Sequence, residues 1–198
     1  LCQGLSGPTN MTHETILASA GRLLRARGIA GARVADVMAG ARLTVGGFYG
    51  HFASKESLID AALRRAGAEM RARLYERIDT KPVADRALVV LKRYLSAAHR
   101  DDVATGCPLP AVVGEVGTTA PAHGAVMAEE IDAMAGALEA HLAPGGGGSR
   151  RQRALALVAL MYGGLSLARA ARGTALSEEI LKACRALGAA ALDRDAAE

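Results

Sequence analysis

The sequence predicts an all-α chain, and three observations carry that prediction. Alanine, leucine and arginine, all strong helix formers, dominate a composition that is 51% apolar. Apolar side chains recur at intervals of three and four residues, which lines them up on one face of a helix. Gly, Pro, Ser and Thr fall between these periodic stretches, where helices have to start and stop. With two Phe and no Trp, the interior has to be built from aliphatic side chains and Met.

About nine helices follow in order. Thr12 to Arg27 is amphipathic, with Ile16, Ala20, Leu23 and Leu24 on one face, and Gly28 ends it. Val34 to Gly40 is short and turns Val34, Val37 and Met38 inward. Ala41, Arg42 and Leu43 make a tight turn, and Thr44 caps a third helix that runs through His51. Val45, Phe48 and Phe52 give that segment an apolar face. Ser54 opens a long fourth helix to about Ile78, which Thr80, Lys81 and Pro82 break. Next come Val83 to Arg100, Pro108 to about Val116, and Ala122 to Leu142. The run Pro144 to Ser149 reads as a surface loop. Arg150 to Arg172 and Ser177 to about Asp193 close the chain. Ser177 is expected to cap the last helix, with Glu178 and Glu179 facing the positive end of its dipole.

Composition also narrows the function classes. The longest uncharged run, Ala154 to Ala168, has 15 residues, against about 20 for a membrane span, and reads as a buried helix. No membrane association is expected. Cys2, Cys107 and Cys184 form neither a disulfide framework nor a metal spacing, which fits a reducing cytoplasm. Residues 1–10 lack the basic start and apolar run of a signal peptide. They read as an extension upstream of Met11. No cofactor motif or catalytic signature is present. The formal charge of +4 is unevenly spread: Met11 to Arg77 carries a net +5 and the remainder −1. That is the electrostatic footprint of a nucleic-acid-binding segment.

The segment Thr44 to Glu56 concentrates the information. Three of the chain's six aromatic residues lie in it, and Tyr49, His51 and Lys55 form a polar edge beside the apolar face. Two short helices joined by a tight turn, with a helix before and a long one after, make a helix-turn-helix arrangement. The pattern of Ala20 to Leu24, Arg27-Gly28, Val34 and Val37, then Gly46, Phe48, Tyr49, His51, Phe52, Lys55, Glu56 and Leu58, resembles the TetR family of bacterial transcriptional regulators. The resemblance rests on Ile16 through Leu58. Beyond it the chain is similar to the family only in architecture.

The resemblance implies a three-helix DNA-binding domain at residues 11–57. Helix four (54–78) would be the connector, and residues 79–198 a helical bundle for effector binding and dimerisation. It implies a homodimer joined through the last two helices, bound to a palindromic double-stranded DNA operator. The chain would then be a regulator, more specifically a repressor released by a small molecule. Helix three would lie in the major groove, with Tyr49, His51 and Lys55 on phosphates and Thr44, Val45, Gly46 and Gly47 toward base edges. Arg33 stands where many members begin helix two with Ser or Thr, and would reach a phosphate; Arg42 stands where many have Gly, needs a compatible backbone conformation, and would join Thr44 and Val45 in direct readout. Three glycines, Gly46, Gly47 and Gly50, leave this face nearly bare, so affinity should lean on phosphates and shape.

Outside this segment, Cys107 precedes Pro108 at a helix start, where it reads as the N-cap and where the dipole would favour a thiolate. Two further prolines' worth of missing donors (Pro108 and Pro110) work against that. A largely aliphatic effector pocket is expected around Tyr94, His99, Cys107, Met127, Met134, Met161 and Tyr162. His99, Glu115 and His123 match no established metal-ligand pattern, and no metal is expected. Two other readings stay open at this level. One is a helical enzyme using Cys107 with His99 and Glu115. The other is a protein-binding adaptor whose bare glycine face has lost DNA binding.

Overall fold

Nine α-helices and four short 3-10 turns make up the regular structure of the described residues, 8–143 and 148–194, in the computed structural model of the chain. No strand occurs among them. The helices are α1 (Pro8–Gly31), α2 (Val34–Gly40), α3 (Lys55–Leu74), α4 (Arg86–Tyr94), α5 (Ala97–Asp101), α6 (Leu109–Val116), α7 (Gly124–Glu139), α8 (Arg150–Ala170) and α9 (Ala175–Arg194). Most of the extension 1–10, with Cys2, and most of the loop 144–149 lie outside the described residues.

Several boundaries differ from the sequence reading, each for a local reason. Gly28 does not end α1: the helix resumes past it to Gly31 across a kink with φ 69° and ψ −170°. The third helix is a 3-10 turn, Val45–Gly50, because three glycines in six residues give an α-helix little support. Thr44 makes no side-chain cap there, whereas Ser54 does cap α3, exchanging hydrogen bonds with Ser57 in a capping box. That helix stops at Leu74 rather than near Ile78. Arg93 from α4 takes its end carbonyls, Nη1 donating to Leu74 O (2.7 Å) and Glu76 O (2.9 Å). The expected helix Val83–Arg100 is divided, because Ser96 accepts from the backbone N–H of His99 and starts α5 afresh. Ser177 lies inside α9. Its buried hydroxyl donates to Ala168 O at 2.7 Å and so ties α9 to α8.

A continuous hydrophobic cluster runs from Ile16 on α1 to Leu181 on α9. α3 contributes Leu58, Ile59, Ala62, Leu63, Met70 and Leu74, all buried. Full burial of such side chains contributes roughly 1.5–3 kcal/mol each before entropy is counted. α8 is apolar and long enough, by length and composition, to cross a membrane. In this fold it packs against α6, α7 and α9. On α8, Gly164 sits against Cys184 and Leu95 with no room for a Cβ, while Gly163 is open.

The polar ties between the N-terminal helices and the rest include three at α6, α7 and the loop before α6. The carboxylate of Glu115, on α6, accepts from the backbone N–H groups of Ile29 (2.9 Å) and Ala30 (2.8 Å), capping the stretch of α1 beyond its kink. On α7, the buried carboxylate of Glu130 lies over Gly67 of α3 and pairs with Arg71. A Cβ on Gly67 would come within 1.9 Å of that carboxylate.

The third tie is the loop before α6, where three consecutive carbonyls accept from arginines on three helices. Arg73 of α3 donates to Thr105 O, Arg25 of α1 to Gly106 O (2.6 Å), and Arg169 of α8 to Cys107 O (3.5 Å). The N–H of Cys107 donates to His99 Nε2 at 3.0 Å, and His99 Nδ1 lies 2.7 Å from Tyr94 O. His99 therefore has to be neutral, accepting through Nε2 and donating through Nδ1. Burial and the neighbouring cations Arg169 and Arg73 hold its pKa down to about 4, against the backbone bond to Tyr94 and the charge of Asp102.

Two outcomes are expected. At Gly28 the backbone conformation is open essentially to glycine alone, and a Cβ would sit 1.8 Å from the Glu115 carboxylate. Urea unfolding of Gly28→Ala should show a loss of about 3 kcal/mol, which adding Glu115→Ala should not restore, because the strain stays and the two carboxylate hydrogen bonds to α1 are lost. The depressed pKa of His99 contributes stability that is complete above about pH 6.5 and disappears as pH falls toward 4. Wild type should thus lose up to roughly 3 kcal/mol more than His99→Gln over that interval, a difference readable from denaturant curves at each pH.

Candidate nucleic-acid interface

The N-terminal helices hold a short polar edge out from a buried aromatic anchor. Phe48 and Phe52 are core residues, stacked with ring centroids 5.9 Å apart. Val45, expected on the same apolar face, is instead half exposed at the open start of the 3-10 turn. Tyr49 packs its ring edge-on against Phe48 and leaves the remainder in solvent, with 77% of its surface exposed. Nothing lies within 4 Å of a Cβ placed on Gly46 or Gly50, so this face is open to close approach.

The turn between α2 and the 3-10 segment is a Schellman motif. Leu43 N–H donates to Met38 O (2.9 Å), and Arg42 N–H to Ala39 O (3.0 Å). The position between them needs the left-handed region, and Arg42 occupies it at φ 61°. The Arg42 side chain at this position is exposed. Ser19 secures the motif from α1, its hydroxyl donating to Val37 O at 2.8 Å.

The other predicted residues fall around the same edge with distinct local ties. Arg33 occupies the N-cap position of α2 without capping it, and its guanidinium is 2.9 Å from Asp36. His51 is half-buried, with its ring 6.3 Å from that of His13. His13 itself stacks on Phe52 at 4.5 Å. Nothing in the sequence pattern singled out His13, because only the crossing of α1 over the turn brings it there. Lys55, the first residue of α3, reaches back to Ile29 O at 3.5 Å. Arg42 and Tyr49 are exposed, His51 is half-buried, and Gly46 and Gly47 expose their backbone between them in the chain.

The seven residues expected to line an effector pocket are all buried. Tyr94 meets His99 edge-on at 4.7 Å and Tyr162 at 5.7 Å. The hydroxyls of Tyr94 and Tyr162 are buried beside the Cys107 thiol with no nitrogen or oxygen partner, and burial pushes both phenol pKa values up. Cys107 precedes the helix start rather than capping it, since Pro108 holds the cap position. Its thiol pKa is raised by burial, against the pull of Tyr94, Arg169 and Arg25, so the expected thiolate is not favoured. His99 and Cys107 are neighbours, but Glu115 is engaged at the far end of α6 with α1. The three do not form one catalytic site. Among the described residues, no group of three or more His, Cys, Asp or Glu is placed to hold a metal ion.

Comparisons with known proteins agree with this geometry. Residues 16–62, from α1 into α3, match the bacterial regulatory proteins of the tetR family. No curated protein sequence matches the chain. A TetR transcriptional regulator from Chloroflexus aurantiacus is 28% identical, with 90% of this chain and 94% of that one covered and a TM-score of 0.72. A TetR-family transcriptional regulator from Cytophaga hutchinsonii is 22% identical, with 96% and 98% covered and a TM-score of 0.76. The multidrug binding protein EbrR, solved with imidazole, is 23% identical, with 88% and 93% covered and a TM-score of 0.61. Residues 16–62 thus carry the DNA-binding domain of the tetR family of bacterial regulatory proteins, and the whole chain has the all-helical fold of a DNA-binding transcriptional regulator of that kind.

Proposed function

We propose that this regulator is a homodimeric repressor that releases a palindromic operator when a small molecule binds its body. Residues 11–57 act as the head, 54–78 as the connector and 79–198 as the body. The observation that carries the reading is the exposed edge around Gly46 and Gly47, held rigid by the buried pair Phe48 and Phe52. Tyr49, His51, Lys55, Arg33 and Arg42 grip phosphates, while Thr44 and Val45 approach base edges with the Gly46–Gly47 backbone. A valine touches a thymine methyl and discriminates little else, so affinity rests on phosphates and shape.

Dimerisation through α8 and α9 is supported by their unpartnered apolar surface. Leu157, Leu160, Leu187 and Leu192 line a groove of about 410 Å³. Leu167, Leu176 and Leu187 are each more than half exposed, and Ala156, Ala159 and Gly163 leave a small-residue stripe on α8 open. Two-fold symmetry then sets the operator's palindrome. The effector site is the cluster of Tyr94, His99, Cys107, Met127, Met134, Met161 and Tyr162, whose two buried phenols can hydrogen-bond a ligand. An effector preferring heads spread wrongly for successive grooves lowers DNA affinity by population shift.

Selection from genomic fragments should enrich one palindrome; enrichment of none would sink the operator reading. Binding to that operator should weaken at least about threefold between 50 and 200 mM salt. Tyr49→Ala should weaken it roughly tenfold while changing stability by less than about 0.5 kcal/mol, because the ring is mostly exposed. Arg42→Gly should separate two effects. Removing a side chain from the left-handed region raises stability by about 1 kcal/mol, whereas losing the guanidinium lowers operator affinity. A stabilised variant with unchanged affinity removes Arg42 from the interface.

A further inference from the structure

The structure holds a second polar site, on the outer side of the loop before α6. A cleft of about 310 Å³ opens between α1, the start of α6 and the end of α8, with Arg25, Arg169 and Arg172 on its lining and Val103, Pro110 and Ala111 as apolar wall. Three guanidinium groups thus share one small concavity. Arg169 has no carboxylate partner: its donors go to the carbonyls of Arg100 (3.3 Å), Cys107 (3.5 Å) and His99 (3.0 Å). Those bonds use three of its five N–H groups, and Asp102, the carboxylate that acts on its charge, lies beyond ion-pair distance. Arg172 is exposed at the rim, where its charge acts on Asp101. Arg25, with its side chain 5% exposed, has only Glu69, at 3.5 Å. Burial lowers the pKa of both Arg25 and Arg169, the mark of cations lacking full compensation. The nearby acids are already engaged, Asp101 with Arg100 and Asp102 with Thr105.

We propose that this cleft binds a small carboxylate-bearing molecule, with Arg169 and Arg172 taking the carboxylate, Arg25 closing the α1 side, and Val103, Pro110 and Ala111 holding an apolar body. The volume is at the low end for small-molecule sites, and the apolar wall favours a hydrocarbon body over a bare ion. Glu69, Asp101 and Asp102 nearby favour a single negative charge over a dianion. The ligand would compete with Gly106 O for the donors of Arg25, and so loosen the tie between α1 and the loop. That regulatory consequence rests on the operator reading above, while the binding itself does not.

The test is calorimetric titration of the full chain with sodium benzoate, sodium hexanoate, benzamide and inorganic phosphate. Benzoate or hexanoate should bind, with benzamide and phosphate at least tenfold weaker. Arg172→Gln, at an exposed position, should keep the wild-type thermal unfolding and bind the carboxylates at least tenfold more weakly. Lys182→Gln, in a separate cationic hollow between α4 and α9, should bind like wild type. Equal binding by benzamide, tighter binding by phosphate, or undiminished binding in Arg172→Gln overturns the site. In a DNA-retardation assay, saturating carboxylate should shift operator affinity at least threefold in wild type and not in Arg172→Gln; an unchanged affinity overturns the regulatory role. A chain that retards no DNA would count against the operator reading, and the calorimetry would still decide the cleft.

Discussion

Three consecutive carbonyl oxygens, on Thr105, Gly106 and Cys107, are shared out among arginines from α3, α1 and α8, and the N–H of Cys107 goes to His99. A loop leading into a helix has backbone groups that need partners, and here charged side chains supply them. The loop consequently orients α1, α3 and α8 relative to one another. Because α1 and α3 also frame the helix-turn-helix, any displacement of residues 105–107 has a short covalent and hydrogen-bonded route to the DNA-binding edge. The tie works only with a neutral imidazole at His99, so its depressed pKa is part of the structural requirement.

The DNA-binding edge itself is built on contrast. Phe48 and Phe52 anchor a 3-10 turn whose exposed residues are mostly glycine, and the conformational cost of those glycines is offset by that anchoring and by the capping box that starts α3. Arg42 adds strain in a position where glycine would sit easily.

Charge is distributed with the same economy. Carboxylates from α6 and α7, Glu115 and Glu130, reach across to α1 and α3, one onto backbone N–H groups and the other onto Arg71. Both approaches need a glycine opposite, Gly28 and Gly67, since a Cβ there would collide with the carboxylate. By contrast Arg169 hydrogen-bonds to carbonyls, and Asp102 acts on its charge only from a longer distance.

Helix content, the helix-turn-helix and the motif from Gly46 to Leu58 were legible in the sequence, because periodicity, caps and breakers act over a few neighbouring residues. Ser54 as a cap and Phe48 and Phe52 as core are local facts of this kind. The early end of α3 and the burial of Ser177 were not, because each depends on a partner outside its own helix: Arg93 on Leu74, and Ala168 under Ser177. The same holds for Cys107. Sequence placed it at a helix start, where the dipole argues for a thiolate, and only packing could show that burial outweighs the dipole. Sequence alone determined that this chain is helical and which segment meets DNA; tertiary structure decided how α1, α3, α6 and α8 are tied together, since those ties join residues up to 86 positions apart that no local pattern can relate.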